Sequence, residues 1–304
     1  MDPLTQDLYD ERRRKWRRSA FWRGVLATLG VLILLGILGA MLGNQPRGPH
    51  IARLHLVDVI YDDPARNRLL RDLRDNEDVA ALVVHISSPG GTTVGSEAVY
   101  EGLRDISDAK PVVAVLGEVA ASGGYISAIA TDHIIARGNT ITGSIGVIYE
   151  YPDVTGLMDR LGVEMETLRS SELKAEPSPF RPASPAGLAA QRLLVEDSYA
   201  WFSELVADRR DLSGNALGAV TDGRVFTGRQ ALDLGLVDAL GDEEDAVDWL
   251  ESTNAGLADL PILTWDVPTE QEPWEAILGK IPVIGGNSSL FPRVDGPRLM
   301  SILK

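Results

Sequence analysis

VAALVVHISSPGG, residues 79–91, decides how this chain is read. Its first part, VAALVVHI (79–86), is a nearly continuous apolar run, the pattern of a strand buried on both faces within a parallel sheet. Ser, Pro and Gly then end the run abruptly. Such a strand needs neighbours joined to it by helices, and the flanking sequence supplies them. IARLHLVDVIY (51–61) alternates as a strand, GSEAVYEGLRDIS (95–107) has helical periodicity, and PVVAVLG (111–117) is the next strand. GGYISAIATD (123–132) reads as a helix and HIIARG (133–138) as a strand. Further on, DVTGLMDRLG (153–162) is helical, VEMETL (163–168) is strand-like, and residues 184–211 make one long helix or two. Alternating strands and helices predict an α/β fold of repeated βαβ units around a largely parallel sheet.

Composition narrows the chemistry. The 304 residues are 44% apolar and 24% charged, the make-up of a folded protein with ample core. There is no cysteine, which removes thiol nucleophiles, disulfides and thiolate metal sites. The four histidines, His50, His55, His85 and His133, include no HExxH pair, so a zinc hydrolase is not expected, nor is any cofactor or metal. Residues 1–24 carry seven Lys or Arg against four Asp or Glu, whereas the whole chain has a net charge of −15. The body is therefore strongly acidic, which argues against a nucleic-acid partner.

The basic start runs into VLATLGVLILLGILGAMLG. Residues 24–43 hold no charge, and twenty helical residues span about 30 Å, enough to cross a bilayer. A cleaved secretory signal is the rival reading, but its apolar region is shorter and no small-residue cleavage site follows here. The cluster Arg12, Arg13, Arg14, Lys15, Arg17, Arg18 and Arg23 predicts a cytoplasmic N-terminus, with the large domain on the other side of the cell membrane. The expected organisation is a basic N-terminus (1–23), a transmembrane anchor (24–43), a linker (44–50), a large folded domain (51–250) and a C-terminal extension or flexible tail (251–304), where Pro, Gly and Ser become frequent.

Two stretches carry candidate chemistry. In VAASGGYISA (119–128), Ser122 stands between an apolar strand and a helix, where free helix N–H groups favour developing negative charge. Gly123 and Gly124 permit a tight turn. A helix-capping serine is the plainer explanation. In HISSPGG (85–91), at the end of a buried strand, Gly90 and Gly91 can offer backbone N–H groups to an oxyanion, each such donor contributing roughly 3 kcal/mol when preorganised. An ordinary Pro-Gly turn explains the same residues. A nucleophilic serine needs a proton acceptor, and none of the four histidines has a compelling position. Lys110 precedes a strand, and Lys174 lies in SSELKAEPSPFRP, by spacing alone an exposed loop. A lysine base must lose its proton, which means a fall from about 10.4 brought about by burial; activity would then fade as pH falls.

Taken together, SPGG, ASGGYISA, TITGSIGV, LKAEPSPFRP and DGRVFTGRQALDLGLVDALG resemble, in order, the signal peptide peptidase A family over about 200 residues. The resemblance implies a Clp-protease/crotonase fold and a membrane-anchored serine endopeptidase with a Ser–Lys dyad. It makes Ser122 the nucleophile, Lys174 the general base, Ser144 of TGSIG the hydroxyl that holds the amine, and Gly90 and the N–H of Gly123 the oxyanion donors. It also implies peptide or protein substrates such as cleaved signal peptides. A half-length chain of this kind implies a homo-oligomeric ring, of about eight subunits, in which neighbours contribute the two dyad residues. Two departures stand out: Ser87 replaces the usual Asn before SPGG, and AEP follows the lysine. The alternatives are a non-catalytic relative acting as a membrane scaffold and a crotonase-type acyl-CoA enzyme, neither of which uses a Ser–Lys pair.

Overall fold

The computed structural model describes residues 22–32, 34, 48–267 and 300–302. The chain divides into two compact units, Met1–Gly48 and Pro49–Lys304. In the first, residues 22–32 and 34 are helical, with Val25, Leu26, Leu29 and Leu32 exposed. Among the described residues no helix is long and apolar enough to cross a membrane; much of the expected anchor at 24–43, and nearly all of the basic segment before it, lie outside them.

The second unit begins with β1 (His50–Val57), α1 (Pro64–Asp75), β2 (Val79–Ser88), β3 (Gly90–Thr92) and α2 (Thr93–Ser107). There follow β4 (Val112–Ala121), α3 (Gly123–Ile129), β5 (His133–Ala136), β6 (Ile141–Gly143), α4 (Thr155–Leu161) and the 26-residue α5 (Pro185–Arg210). The remainder is α6 (Gly214–Val220), β7 (Val225–Thr227), α7 (Gly228–Asp233), β8 (Ala239–Leu240), α8 (Glu243–Thr253), a 3-10 turn at Ala255–Leu257, β9 (Ile262–Trp265) and β10 (Met300–Ile302). Helix α1 goes beyond the sequence reading, yet its start is marked. Asp63 accepts from Ala65 N–H at 2.8 Å, and Pro64 takes the first turn, where no amide partner is needed.

The main sheet runs β7-β6-β4-β2-β1-β9, with β5 joined to β4 and β8 to β5. Every pairing in it is parallel except β6–β7. The apolar run of β2 is buried on both faces, as its pattern predicts. Leu82, Val84 and Ile86 join the core that holds Tyr125 and Phe202, whereas Ala81 and Val83 join a second core with Ala246 and Leu250 of α8. This is the two-residue alternation of a central parallel strand.

Strand β4 changes partner along its length. Val113–Leu116 pair with β5, and Val119–Ala121 pair with β6. The register against β2 shifts between Ile86 and Ser88. The last residues of β4 thereby come under β6, and Ser122 follows at the strand's C-terminal end.

Two expectations change. VEMETL (163–168) forms no strand: it is exposed, and no sheet edge meets it to satisfy its backbone groups. The domain also continues past residue 250. Ile262–Trp265 adds a parallel edge strand beside β1, because ILTW can pair with the outer N–H and C=O groups of Ile51–Leu54. The chain's last described segment, β10, lies antiparallel to β3, with Ser301 opposite Gly91.

Candidate active site

The corner between β4 and α3 is built so that its serine stands in a strained conformation. Ser122 has φ 54° and ψ −116°, a left-handed backbone that costs a non-glycine residue about 1–3 kcal/mol. It occupies the position before the helix, but its side chain makes no capping hydrogen bond. That removes the plainer explanation for a serine here. The residue is 1% exposed, and its N–H donates to the Gly143 carbonyl at 2.8 Å.

The two glycines that follow are dictated by crowding. A Cβ on Gly123 would lie 2.2 Å from Ser96 Oγ and 3.1 Å from Gly91 N, and one on Gly124 would lie 2.7 Å from the Ser88 carbonyl. No side chain fits, so β3 and the end of β2 close directly onto the start of α3. Helix α3 is buried along its whole length and is fixed by Tyr125, whose hydroxyl donates to the Leu236 carbonyl at 2.9 Å. Burial pushes that phenol well above its ordinary range, so it stays a neutral donor.

Of the residues marked by the sequence, Ser122, Gly123, Gly90 and Ser144 come together. Ala121 is the register partner of Gly143, so the next residues, Ser122 and Ser144, leave adjacent strand ends. Ser144 also has a positive φ, 53°, and its N–H donates to the Arg224 carbonyl at 2.9 Å. It borders a cleft of about 410 Å³ lined also by Ile145, Val147, Tyr199 and Thr221. Gly90 has φ 114°, and its N–H donates to Ser88 Oγ at 3.1 Å, so an oxyanion there must displace that hydroxyl. Ser88 and Ser96 are fully buried contributors to the corner that the sequence reading missed; their spacing alone carries no signal.

Lys174 is placed differently. It is exposed within a turn, where its N–H donates to the Ser171 carbonyl at 3.2 Å and its carbonyl accepts from Arg169 at 3.5 Å. The histidines have partners elsewhere. His50 accepts from Trp265 Nε1, His133 stacks on Trp249 beside Asp238, and His85 reaches Glu243, which Arg53 also binds. His55 packs against His85, and burial together with His85 and Arg53 lowers its basicity. His85 and Glu243 border a cavity of about 890 Å³ beside the second core, formed with Arg137 and Thr140 and without either serine.

Comparisons with known proteins identify the family. A profile of peptidase family S49 matches residues 104–257. The chain is 37% identical over 256 residues to the "Putative protease slr0021" of Synechocystis sp., covering 84% of this chain and 90% of that one. It is 32% identical over 173 residues to the "Serine protease SPPA, chloroplastic" of Arabidopsis thaliana, covering 57% of this chain and 26% of that one. Among solved structures it is similar to a ClpP1 mutant from Listeria monocytogenes at a TM-score of 0.43 and 16% identity, covering 64% of this chain and 92% of that one. The chain belongs to peptidase family S49.

Proposed function

We propose that this protein is a serine endopeptidase in which Ser122 attacks a peptide carbonyl and the neutral amine of Lys174 takes its proton. One observation carries the reading: a buried serine in a strained strand-to-helix corner whose side chain does not cap the helix it precedes. Backbone strain of this kind is retained where the surroundings enforce it, and it clusters at sites of chemistry. The N–H groups of Gly123 and Gly90 stabilise the tetrahedral oxyanion, Ser144 orients the amine, and the acyl-enzyme is hydrolysed by water activated by the same lysine.

The β3 edge supports a peptide substrate. Gly90 O and Thr92 N bond to Ile60 on one side, which leaves the groups of Gly91 facing the other side, where β10 lies antiparallel. A substrate strand adding to that edge would run past the Ser122 corner.

Lys174 is exposed in one chain, whereas an amine that acts as a base needs a dry site. Leu157, Leu161, Val163, Met165, Leu168 and Leu173 are also exposed along the same stretch. A homo-oligomer, in ring form and possessing about eight subunits by the family resemblance, would cover these side chains and complete each dyad from a neighbour. The uncharged segment 24–43 behind a basic cluster supports an anchor in the cell membrane with the catalytic domain outside the cytoplasm. Hydrophobic peptides released at that membrane, such as cleaved signal peptides, are the substrates that fit.

The test is hydrolysis of a denatured polypeptide and of a signal-peptide sequence by detergent-solubilised protein, beside Ser122→Ala, Lys174→Ala and Lys174→Arg. All three substitutions are expected to abolish cleavage, since guanidinium stays charged and cannot accept the proton. Cleavage that survives in Ser122→Ala removes the nucleophile from this account.

A further inference from the structure

Carboxylates are rarely shut away from water unless they are paired. Glu176 stands two residues after Lys174, directly after an exposed run at 171–175, yet only 3% of its side chain is accessible. The shelter is local and made of donors. Arg181 reaches its Oε1 with Nε at 2.9 Å and a terminal nitrogen at 2.7 Å, and Arg169 reaches the same oxygen at 2.8 Å. Its other oxygen faces Ser184 N–H and Oγ, each at 3.4 Å, at the start of α5. That helix opens on glycine where the carboxylate sits: a Cβ on Gly187 would lie 2.7 Å from Glu176 Cβ and 2.8 Å from Oε2. A helix N-terminus also favours a negative charge.

The two arginines do more than pair with the carboxylate. Arg169 donates to the carbonyls of Glu172 at 2.6 Å and Lys174 at 3.5 Å, and Arg181 donates to that of Ala175 at 3.3 Å. Gln191 of α5 donates to the Glu176 carbonyl at 2.9 Å. The carbonyls of residues 174, 175 and 176 are thus each held by a side chain, across a turn that includes Ala175 at φ 61°. We propose that Glu176 is the positioning residue for Lys174: its carboxylate holds Arg169 and Arg181 where they grip the main chain that presents the amine. An ion pair that only stabilised the fold would have no reason to converge on the backbone of the base and its next two residues. The assignment rests on the Ser122–Lys174 reading above.

The experiment compares the full chain with Glu176→Gln and Glu176→Asp on one peptide substrate, together with backbone amide exchange. Glu176→Gln is expected to lower kcat by about 10- to 100-fold, the scale on which a reacting group displaced by about 1 Å acts, with KM little changed. Glu176→Asp, which keeps the charge, is expected to recover part of that loss. Exchange should quicken over residues 171–178 in Glu176→Gln and stay at the wild-type rate over 119–126. Should Glu176→Gln not fold, Arg169→Gln leaves the carboxylate paired with Arg181 and gives the same readouts. Wild-type kcat, or wild-type exchange over 171–178, overturns the assignment. Failure of the dyad itself has a different signature: activity persisting in Lys174→Arg, whatever the exchange shows.

Discussion

The N–H of Ser122 donates to the carbonyl of Gly143 at 2.8 Å, which sets Ser122 and Ser144 on adjacent strand ends. Each has a positive φ, 54° and 53°. Two strained serines thus sit side by side where β4 and β6 end, and the glycines of β3 close onto the next residue, Gly123.

The strain makes a prediction of its own. Glycine occupies φ 54°, ψ −116° at little cost, whereas alanine does not. Ser122→Gly is expected to be inactive but about 1 kcal/mol more stable than Ser122→Ala, read from denaturant midpoints. Equal stability of the two variants would mean that the corner relaxes in solution.

Tyr125 tests the support beneath that corner. Tyr125→Phe leaves the buried Leu236 carbonyl without this donor, and the expected loss is about 1–3 kcal/mol, seen as a lower unfolding midpoint. An unchanged midpoint would show that α3 is held by apolar packing alone.

Much of this architecture was legible because parallel strands advertise themselves. VAALVVHI has no polar alternation, and the fold buries it between two cores. The serine corner was legible for a related reason: no packing demand calls for a hydroxyl in that apolar context, whereas the glycines are there because Ser96 and Ser88 leave no room for a side chain. Other features depend on partners that a linear reading does not see. VEMETL has the residues of a strand but no edge to join, and ILTW, read as tail, finds one beside β1. Glu176 carries no mark in the linear sequence, because the arginines that enclose it stand seven residues before and five after it.

The pH dependence of the Lys174 loop follows from that enclosure. Hydrogen bonds from Arg181 are the main cause that holds the Glu176 carboxyl down from 4.5 to about 2, aided by the Ser184 backbone and Arg169 against the opposing effect of burial. A depressed carboxyl contributes stability that is full above its unfolded value and lost as pH falls through the folded one. Limited proteolysis across residues 169–184 is therefore expected to stay slow down to pH 4.5 and to accelerate as the pH approaches about 2. Loosening already complete well above pH 4.5 would contradict the carboxylate clamp.

The pairing of β10 with β3 predicts a gain of function. A chain ending at Val267 lacks Met300–Ile302, so the Gly90–Thr92 edge is open to a peptide strand. Its kcat/KM on a peptide substrate is expected to exceed that of the full chain, and a synthetic peptide covering residues 296–304 should reverse the gain. Equal kcat/KM in the two chains would show that β10 does not compete with substrate.

The most direct test of the account is covalent. A serine-directed phosphonylating probe, added to the detergent-solubilised full chain and followed by peptide mass mapping, should leave one adduct on Ser122. No adduct should form in Ser122→Ala, and Lys174→Arg should slow labelling by orders of magnitude. An adduct formed on Ser122 at the same rate in Lys174→Arg as in the wild type would contradict a lysine amine as the base.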